Sequence, residues 1–343
     1  MKQILLILLA LVVIVMIGGA LLPGHIHLER DIVVEAPACT VFALTNGFGS
    51  FNEWSPWAQI DPEGTTYEYG GPHQGVGAHQ SWSSDHNNVG SGRQEIVASE
   101  PWSEVRTKLT FEGQGDADAF FRFAPQDSGV QVTWGFDSDL GVNPVSRIFG
   151  YFFLGGMLGP QYEQGLAQLK TYAESLPDAD WCEMEAELME VEAEPMAFVE
   201  AKTSSDHDEI AAAYARSYGR IMGFLNEKGL QAAGPPISVN TVWGETFEFK
   251  PAIPIVAPPD GELDKSVLDE NVAVQIGQSY GGKVVRAVHV GAYADLEKTY
   301  RKVEAKLKAE GLTRNGPAWD QWISDPSQVP ESELITHVFY PVL

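Results

Sequence analysis

Four residues near the C-terminus, Trp319-Asp320-Gln321-Trp322, set a carboxylate among indoles. The segment reads as a strand, so Asp320 and Trp322 point to one face and Trp319 to the other. A carboxylate beside an aromatic face can hold an organic cation through charge and cation–π attraction. The competing reading is a solvent-facing aspartate with the tryptophans in a core. A second aromatic pair, Trp54 and Trp57, brackets a Ser-Pro step. These rings either form a lip that contacts an apolar ligand or plug one end of a core. Trp is highly buried on average, which favours the plug.

Other chemistry is sparse. No Gly-x-Ser-x-Gly elbow, phosphate-binding loop, Cys-x-x-Cys pair or His-Glu-x-x-His helix occurs. His25 and His27 share a strand face and are expected to be solvated. His73, His79 and His86 lack the spacing and Cys partners of a zinc site. His289 reads as structural or groove-lining, and Glu245 and Glu248 can add acid to a groove. No catalytic residue, cofactor or metal is assigned. Acidic residues outnumber basic ones 47 to 22, a formal charge of -25 with no basic cluster. Such a surface repels phosphate backbones, so no nucleic-acid partner is expected. Cys39 and Cys182 could pair outside the cytoplasm; two free thiols, one buried, is the simpler expectation.

The elements that must position these residues fall into three stretches. Residues 4–22 are an unbroken apolar run of 19, near the ~20 that a bilayer-spanning helix needs. Residues 1–23 are therefore expected to be a transmembrane anchor; cleavage after the small residues at 18–20 is the alternative. Lys2 and the amino terminus precede the run, which places the N-terminus in the cytoplasm and the bulk outside, at a periplasmic inner-membrane surface. Residues 25–36 read as a strand and residues 38–50 begin as a short helix. Six strand-like segments follow at spacings of about ten residues, an antiparallel meander. Tyr162, Leu166, Leu169 and Ala173 then form one apolar helix face. A bent antiparallel sheet cannot bury its concave face alone, and a long helix across it can leave a cavity.

Residues 25 to about 176 resemble the START-like helix-grip superfamily (SRPBCC, the polyketide cyclase/dehydrase group). The likeness rests on "VVEAPACTVFALTNGFGSFNEWSPW", "GPHQGVGAHQSW", "VTWGF" and "YEQGLAQLKTYAES". It implies an internal hydrophobic ligand pocket with Trp54 and Trp57 near its open end. It implies no reaction, because that superfamily mixes enzymes with carriers.

Residues 178–194 hold eight acids and no base. They read as a linker whose second half can be an edge strand, with the boundary near residue 180. Beyond it the chain is duplicated. Tyr218, Leu225, Gly229, Leu230, Gly234 and Pro235 recur as Tyr300, Leu307, Gly311, Leu312, Gly316 and Pro317, each offset by 82 residues. Each copy is a helix closed by Gly, a Gly-Pro turn and a strand. Asp206 and Glu209 can form a capping box on the first helix. Tyr293, Leu296, Tyr300, Val303 and Leu307 make one face of the second helix apolar. Two copies suggest a pseudo-twofold βαβ-type domain, with paired helices on a shared sheet and a groove along the axis.

Residues 183–343 resemble the GyrI-like effector-binding domain, through "VVRAVHVGAYADLEKTYRKVEAKLKAEGL", "GPAWDQWISDP" and "THVFYPVL". That resemblance implies a groove for hydrophobic, often cationic, small molecules, with a strand carboxylate meeting the charge. The family pattern there is Glu-x-Tyr, where this chain has Asp320-Gln321-Trp322.

The fold class expected is α+β: an anchor (1–23), a helix-grip domain (24–178) and an effector-binding domain (183–343). The ligand set expected is Asp320, Trp322, Trp319, Tyr293, Tyr300 and Tyr218, with Trp54 and Trp57 in the first domain. Three functions compete. The first is a non-catalytic binder or sensor of small hydrophobic molecules, tethered to the membrane and facing outward. The second is a hydrolase with Asp320 as base and Tyr293 as acid partner. The third is an envelope scaffold.

Overall fold

The computed structural model describes residues 2–113, 115–242, 244–256 and 274–343. The chain divides into two compact units, residues 1–182 with 305–311, and residues 183–304 with 312–343.

The first unit begins with α1 (Lys2–Leu21) and β1 (His25–Val34), then α2 (Ala38–Ala43) and α3 (Phe51–Trp54). The meander follows as β2 (Thr66–Gly70), β3 (His79–Ser83), β4 (Ser91–Glu100), β5 (Glu104–Phe111), β6 (Gly115–Gln126) and β7 (Gly129–Asp139). It closes with α4 (Pro144–Phe149), a π-helical turn (Gly150–Leu154) and α5 (Gly155–Ser175). The sheet order is β1-β7-β6-β5-β4-β3-β2, with antiparallel ladders. A bulge between Ile96 and Ala98 breaks the register of β4 against β5 and bends the sheet there. Gly129 makes the β6–β7 turn at φ +126°, where a Cβ would meet the Val34 carbonyl oxygen at 2.1 Å.

Helix α5 packs against β1 and buries Tyr162, Leu166, Leu169 and Ala173, the face expected from their spacing. The grip is filled with rings. Trp134 stacks on Tyr162 at 4.2 Å and on Phe121 at 5.0 Å. Trp54 is fully buried, edge-on to Trp134 and Phe121, and its Nε1 donates to the Leu44 carbonyl at 3.2 Å. Trp57 lies edge-on to Trp134 and Tyr162.

Two expectations change here. Cys39 and Cys182 are joined as a disulfide, with Cα atoms 5.0 Å apart, rather than left as free thiols. After α5 the chain returns to α2, bringing together positions 143 residues apart. Spacing alone could not show that return. Helix α1 forms over the expected apolar run. Among the described residues, however, no helix is long and apolar enough to cross a membrane. The expected anchor is not supported by that finding.

The second unit contains β8 (Ala186–Val191), β9 (Pro195–Phe198), β10 (Ala201–Ser204), α6 (His207–Lys228), β11 (Ile237–Val242) and β12 (Thr246–Pro254). After them come β13 (Gln275–Gln278), β14 (Gly282–Val290), α7 (Leu296–Glu310, in this unit as far as Glu304), β15 (Trp319–Trp322) and β16 (Ile335–Pro341). The sheet path is β13-β9-β12-β11-β15-β16-β14-β8, with β10 also on β12. Its ladders are antiparallel. The two copies are therefore β10–α6–β11–β12 and β14–α7–β15–β16. In each, the last strand lies between the first two. This corrects a simple βαβ reading: the strands flanking each helix run parallel but never touch.

The copies meet where β11 pairs with β15, and there Ser238 lies opposite Asp320. The repeat offset is 82, and 320 − 82 = 238. Equivalent positions thus face each other, which fixes the pseudo-twofold axis at that pair. Gly229 ends α6 in the left-handed conformation, φ 66°, as its place after the helix implied. The acidic stretch after residue 183 does become an edge strand, β8, on β14.

Candidate functional site

A cavity of about 850 Å³ opens beside that axis in the second unit. This size suits a drug-sized molecule. Helix α6 supplies one wall, because His207, Ile210, Tyr214 and Tyr218 fall on one helical face. The start of α7 contributes Leu296 and Tyr300, the turn before it Tyr293, and the strands Asn240, Phe247, Asp320 and Trp322.

Asp320 is 2% exposed. Its Oδ2 accepts from Asn240 Nδ2 at 2.7 Å and from the Tyr300 hydroxyl at 2.8 Å. Among the described residues its Oδ1 is buried without a hydrogen-bond partner. Burial pushes the carboxyl up to about 6, against the pull of the Asn240 and Tyr300 hydrogen bonds. Among the described residues no cationic side chain pairs with it, and the donors to this carboxylate, Asn240 and Tyr300, are neutral. Burial also raises Tyr300, and the neighbouring Asp320 charge raises it further. It therefore stays a hydrogen-bond donor.

The hydroxyl and amide network extends outward. Tyr214 OH and Ser238 Oγ lie 2.8 Å apart, and Ser238 Oγ donates to Asn240 Oδ1 at 3.3 Å. On the other side Trp322 Nε1 donates to Tyr218 OH at 2.9 Å, and that hydroxyl donates to the Ile237 carbonyl at 2.8 Å. These bonds hold ring faces at fixed angles. Tyr214 and Tyr218 stack at 5.9 Å, while Trp322 stands edge-on to Tyr293 at 5.0 Å and to Tyr214 at 5.8 Å. A buried charge ringed by aromatics can receive an organic cation.

The structure brings together five of the eight expected residues: Asp320, Trp322, Tyr293, Tyr300 and Tyr218. Trp319 is a correction. It stacks on Phe339 at 4.8 Å and lies in the core on the sheet's other face, as strand alternation requires. Trp54 and Trp57 pack in the first unit's aromatic core, the plug that was favoured. Tyr293 does not bond Asp320; Tyr300 does. Glu245 is exposed and Glu248 pairs with Lys202 at 2.6 Å; neither is among the cavity's described lining. His289 is held by Thr299 Oγ1 at 2.8 Å and the Ala292 carbonyl at 3.1 Å, a structural role. Sequence reasoning missed Tyr214, Ser238 and Asn240. The repeat offset could have found the last two, because 320 − 82 = 238 and 322 − 82 = 240.

Residues 25–174 match the family model described as polyketide cyclase / dehydrase and lipid transport. Residues 184–343 match the GyrI-like small molecule binding domain. No curated protein matches the chain significantly. Among solved structures, the EcmrR C-terminal domain is 14% identical, with TM-score 0.39 over 47% of this chain and 98% of that one. A cryo-EM structure of an EcmrR–DNA complex is 14% identical, with TM-score 0.38 over 46% of this chain; the match spans 57% of that chain. A hydrolase from Listeria innocua is 16% identical, with TM-score 0.35 over 46% of this chain and 92% of that one. Likenesses this distant support no argument about activity.

Proposed function

We propose, for a chain that joins a domain of the polyketide cyclase / dehydrase and lipid transport family to a GyrI-like small molecule binding domain, a non-catalytic role. It binds small hydrophobic cations in the cavity of the second unit. The carrying observation is Asp320: a buried carboxylate with an aromatic surround and, among the described residues, an Oδ1 without a hydrogen-bond partner and no cationic partner. An ionised group buried this way is costly, and a ligand cation would relieve the cost. The formal charge of -25 favours cations over nucleic acid as partners.

Membrane tethering belongs to the same proposal. Leu6, Ile14 and Leu21 on α1 are each more than 60% exposed, on a helix of 20 residues with a largely apolar sequence. Such a surface calls for lipid or a partner. The Cys39–Cys182 disulfide supports an outward-facing soluble part, since disulfides persist in oxidising compartments.

The test is Asp320→Asn. Binding of a lipophilic cation dye should weaken about tenfold or more, the factor set by roughly 1.4 kcal/mol. A neutral analogue of equal size should bind as before. Equal weakening of both ligands would mean that Asp320 is structural. Hydrolysis is the second reading, favoured by one observation: Tyr300 OH sits 2.8 Å from a carboxylate whose pKa is about 6. The carboxyl could take up or release a proton near neutral pH while the Tyr300 hydroxyl holds it in place. Release of product from ester substrates, lost in both Asp320→Asn and Tyr300→Phe, would replace binding with catalysis.

A further inference from the structure

We propose that the exposed aromatic face formed by α4, the π-helical turn and the start of α5 lies in the lipid–water interface beside α1. This inference rests on the membrane reading of α1. Val145, Phe149, Tyr151, Phe152, Phe153 and Met157 are exposed, Phe152 by 64%. Phe149 stacks on Phe153 at 6.0 Å and Tyr151 stands edge-on to Phe152 at 5.0 Å, so the exposed rings adjoin in pairs rather than lie scattered. Patches of this kind mark interaction sites. From Leu140 to Tyr162 the sequence carries one charge, Arg147, in a chain that is 20% charged overall.

That single charge is already engaged. The Arg147 guanidinium donates to the Gly141 carbonyl at 2.8 Å, to Ala20 O at 2.9 Å and to Leu22 O at 3.2 Å. It thereby caps the open carbonyls at the end of α1. Close packing joins the same two elements: a Cβ on Gly19 would meet Pro144 O at 2.7 Å and the Ile148 side chain at 2.8 Å. The patch is therefore fastened to the end of α1 and continues its apolar surface. Wherever that end leaves the hydrocarbon, the patch sits at headgroup depth. Tyr is enriched at that depth, and Phe-bearing apolar faces of surface helices bury at the boundary between headgroups and acyl chains.

Lipid is preferred over a second copy of the chain for two reasons. The patch is fastened to the end of the apolar helix, and its Phe, Val and Met side chains with one Tyr are those of an apolar face that buries in the membrane interface. The chain's net charge also matters. A molecule of charge -25 is repelled by anionic lipid headgroups, so its uncharged face is the one that can approach closely.

The experiment uses the full chain with Phe152→Cys, carrying an environment-sensitive fluorophore at residue 152, in phosphatidylcholine vesicles. A second position, Phe153→Cys, repeats the measurement, and Val97→Cys, exposed on β4, is the control. Labels at residues 152 and 153 should shift to the blue. They should lose most of their emission to lipids bearing a doxyl group near the headgroup, and less to deep doxyl groups. The control should do neither. Labels at 152 and 153 that behave like the control, on a chain that floats with the vesicles, would overturn this inference alone. So would a blue shift without doxyl quenching in which a cross-linker joins two copies through residue 152. A chain that does not float with vesicles would remove the membrane reading itself.

Discussion

Asp320 makes stability depend on pH in a direction opposite to most surface carboxylates. Its pKa rises from 3.8 to about 6 on folding, chiefly through burial. The folded state then holds the proton more tightly than the unfolded chain. Folding is favoured at acid pH by this group, and that advantage is lost as pH climbs from about 4 through 6. Integrated over the window, the cost at neutral pH is about 3 kcal/mol. Asn keeps the shape without the charge. Asp320→Asn should therefore unfold at higher urea than the parent at pH 8, with the gap closing toward pH 4. Identical midpoints at both pH values would mean that solvent reaches the carboxylate. Ligand runs the opposite way through the same group: a cation needs the ionised form, so affinity should rise as pH passes 6 and then level off.

At the scale of elements, α6 is the wall that carries Tyr214 and Tyr218, two of the site's rings, and its N-terminus decides how firmly it stands. Asp206 Oδ1 accepts from Asp208 N at 3.0 Å and Glu209 N at 3.1 Å. The reciprocal half of the expected capping box is absent. Glu209 accepts instead from Ser204 Oγ at 2.6 Å, and Ser204 Oγ accepts from Asp206 N at 3.2 Å. Asp206→Ala should cost about 1 kcal/mol of stability. It should also weaken dye binding modestly, because His207, Ile210 and Tyr214 all follow within two turns. A thermal melt and a titration on the same sample check both; a melt unchanged within error would count against the cap. The cap, the Gly229 terminus and the Tyr162–Ala173 face were legible because each depends on local spacing. The sheet was legible only in part. Alternation put Asp320 and Trp322 on one face, but nothing local says that β11 lies beside β15. Without that pairing, Ser238 and Asn240 could not be placed against the carboxylate, nor Tyr300 preferred to Tyr293. Trp319 was counted toward the site on residue type, although its own alternation pointed it to the core.

For the whole molecule, the Cys39–Cys182 bond links topology to location. It closes a loop of 143 residues around the meander of the first unit. In the chain-entropy account, a loop of that order stabilises by about 5 kcal/mol at most, by restricting the unfolded ensemble. Cys39 is fully buried and its partner only partly so; reduction must therefore reach the bond from the Cys182 side. A reductant should lower the first unit's melting temperature and leave the second unit's transition in place, which calorimetry can resolve. The paired Cys39→Ser and Cys182→Ser variant should reproduce the reduced melt and lose its sensitivity to reductant. Equal melts with and without reductant, once thiol counting confirms that the bond is broken, would show that packing alone holds the unit. The bond also reports where the protein folds. Rapid alkylation of intact cells before lysis, followed by peptide mapping without reductant, should recover residues 39 and 182 in one cross-linked peptide. Thiols are kept reduced in the cytoplasm of ordinary cells. Recovery of both thiols fully alkylated would therefore place this unit inside and remove the outward orientation, while leaving the Asp320 cavity and its test untouched.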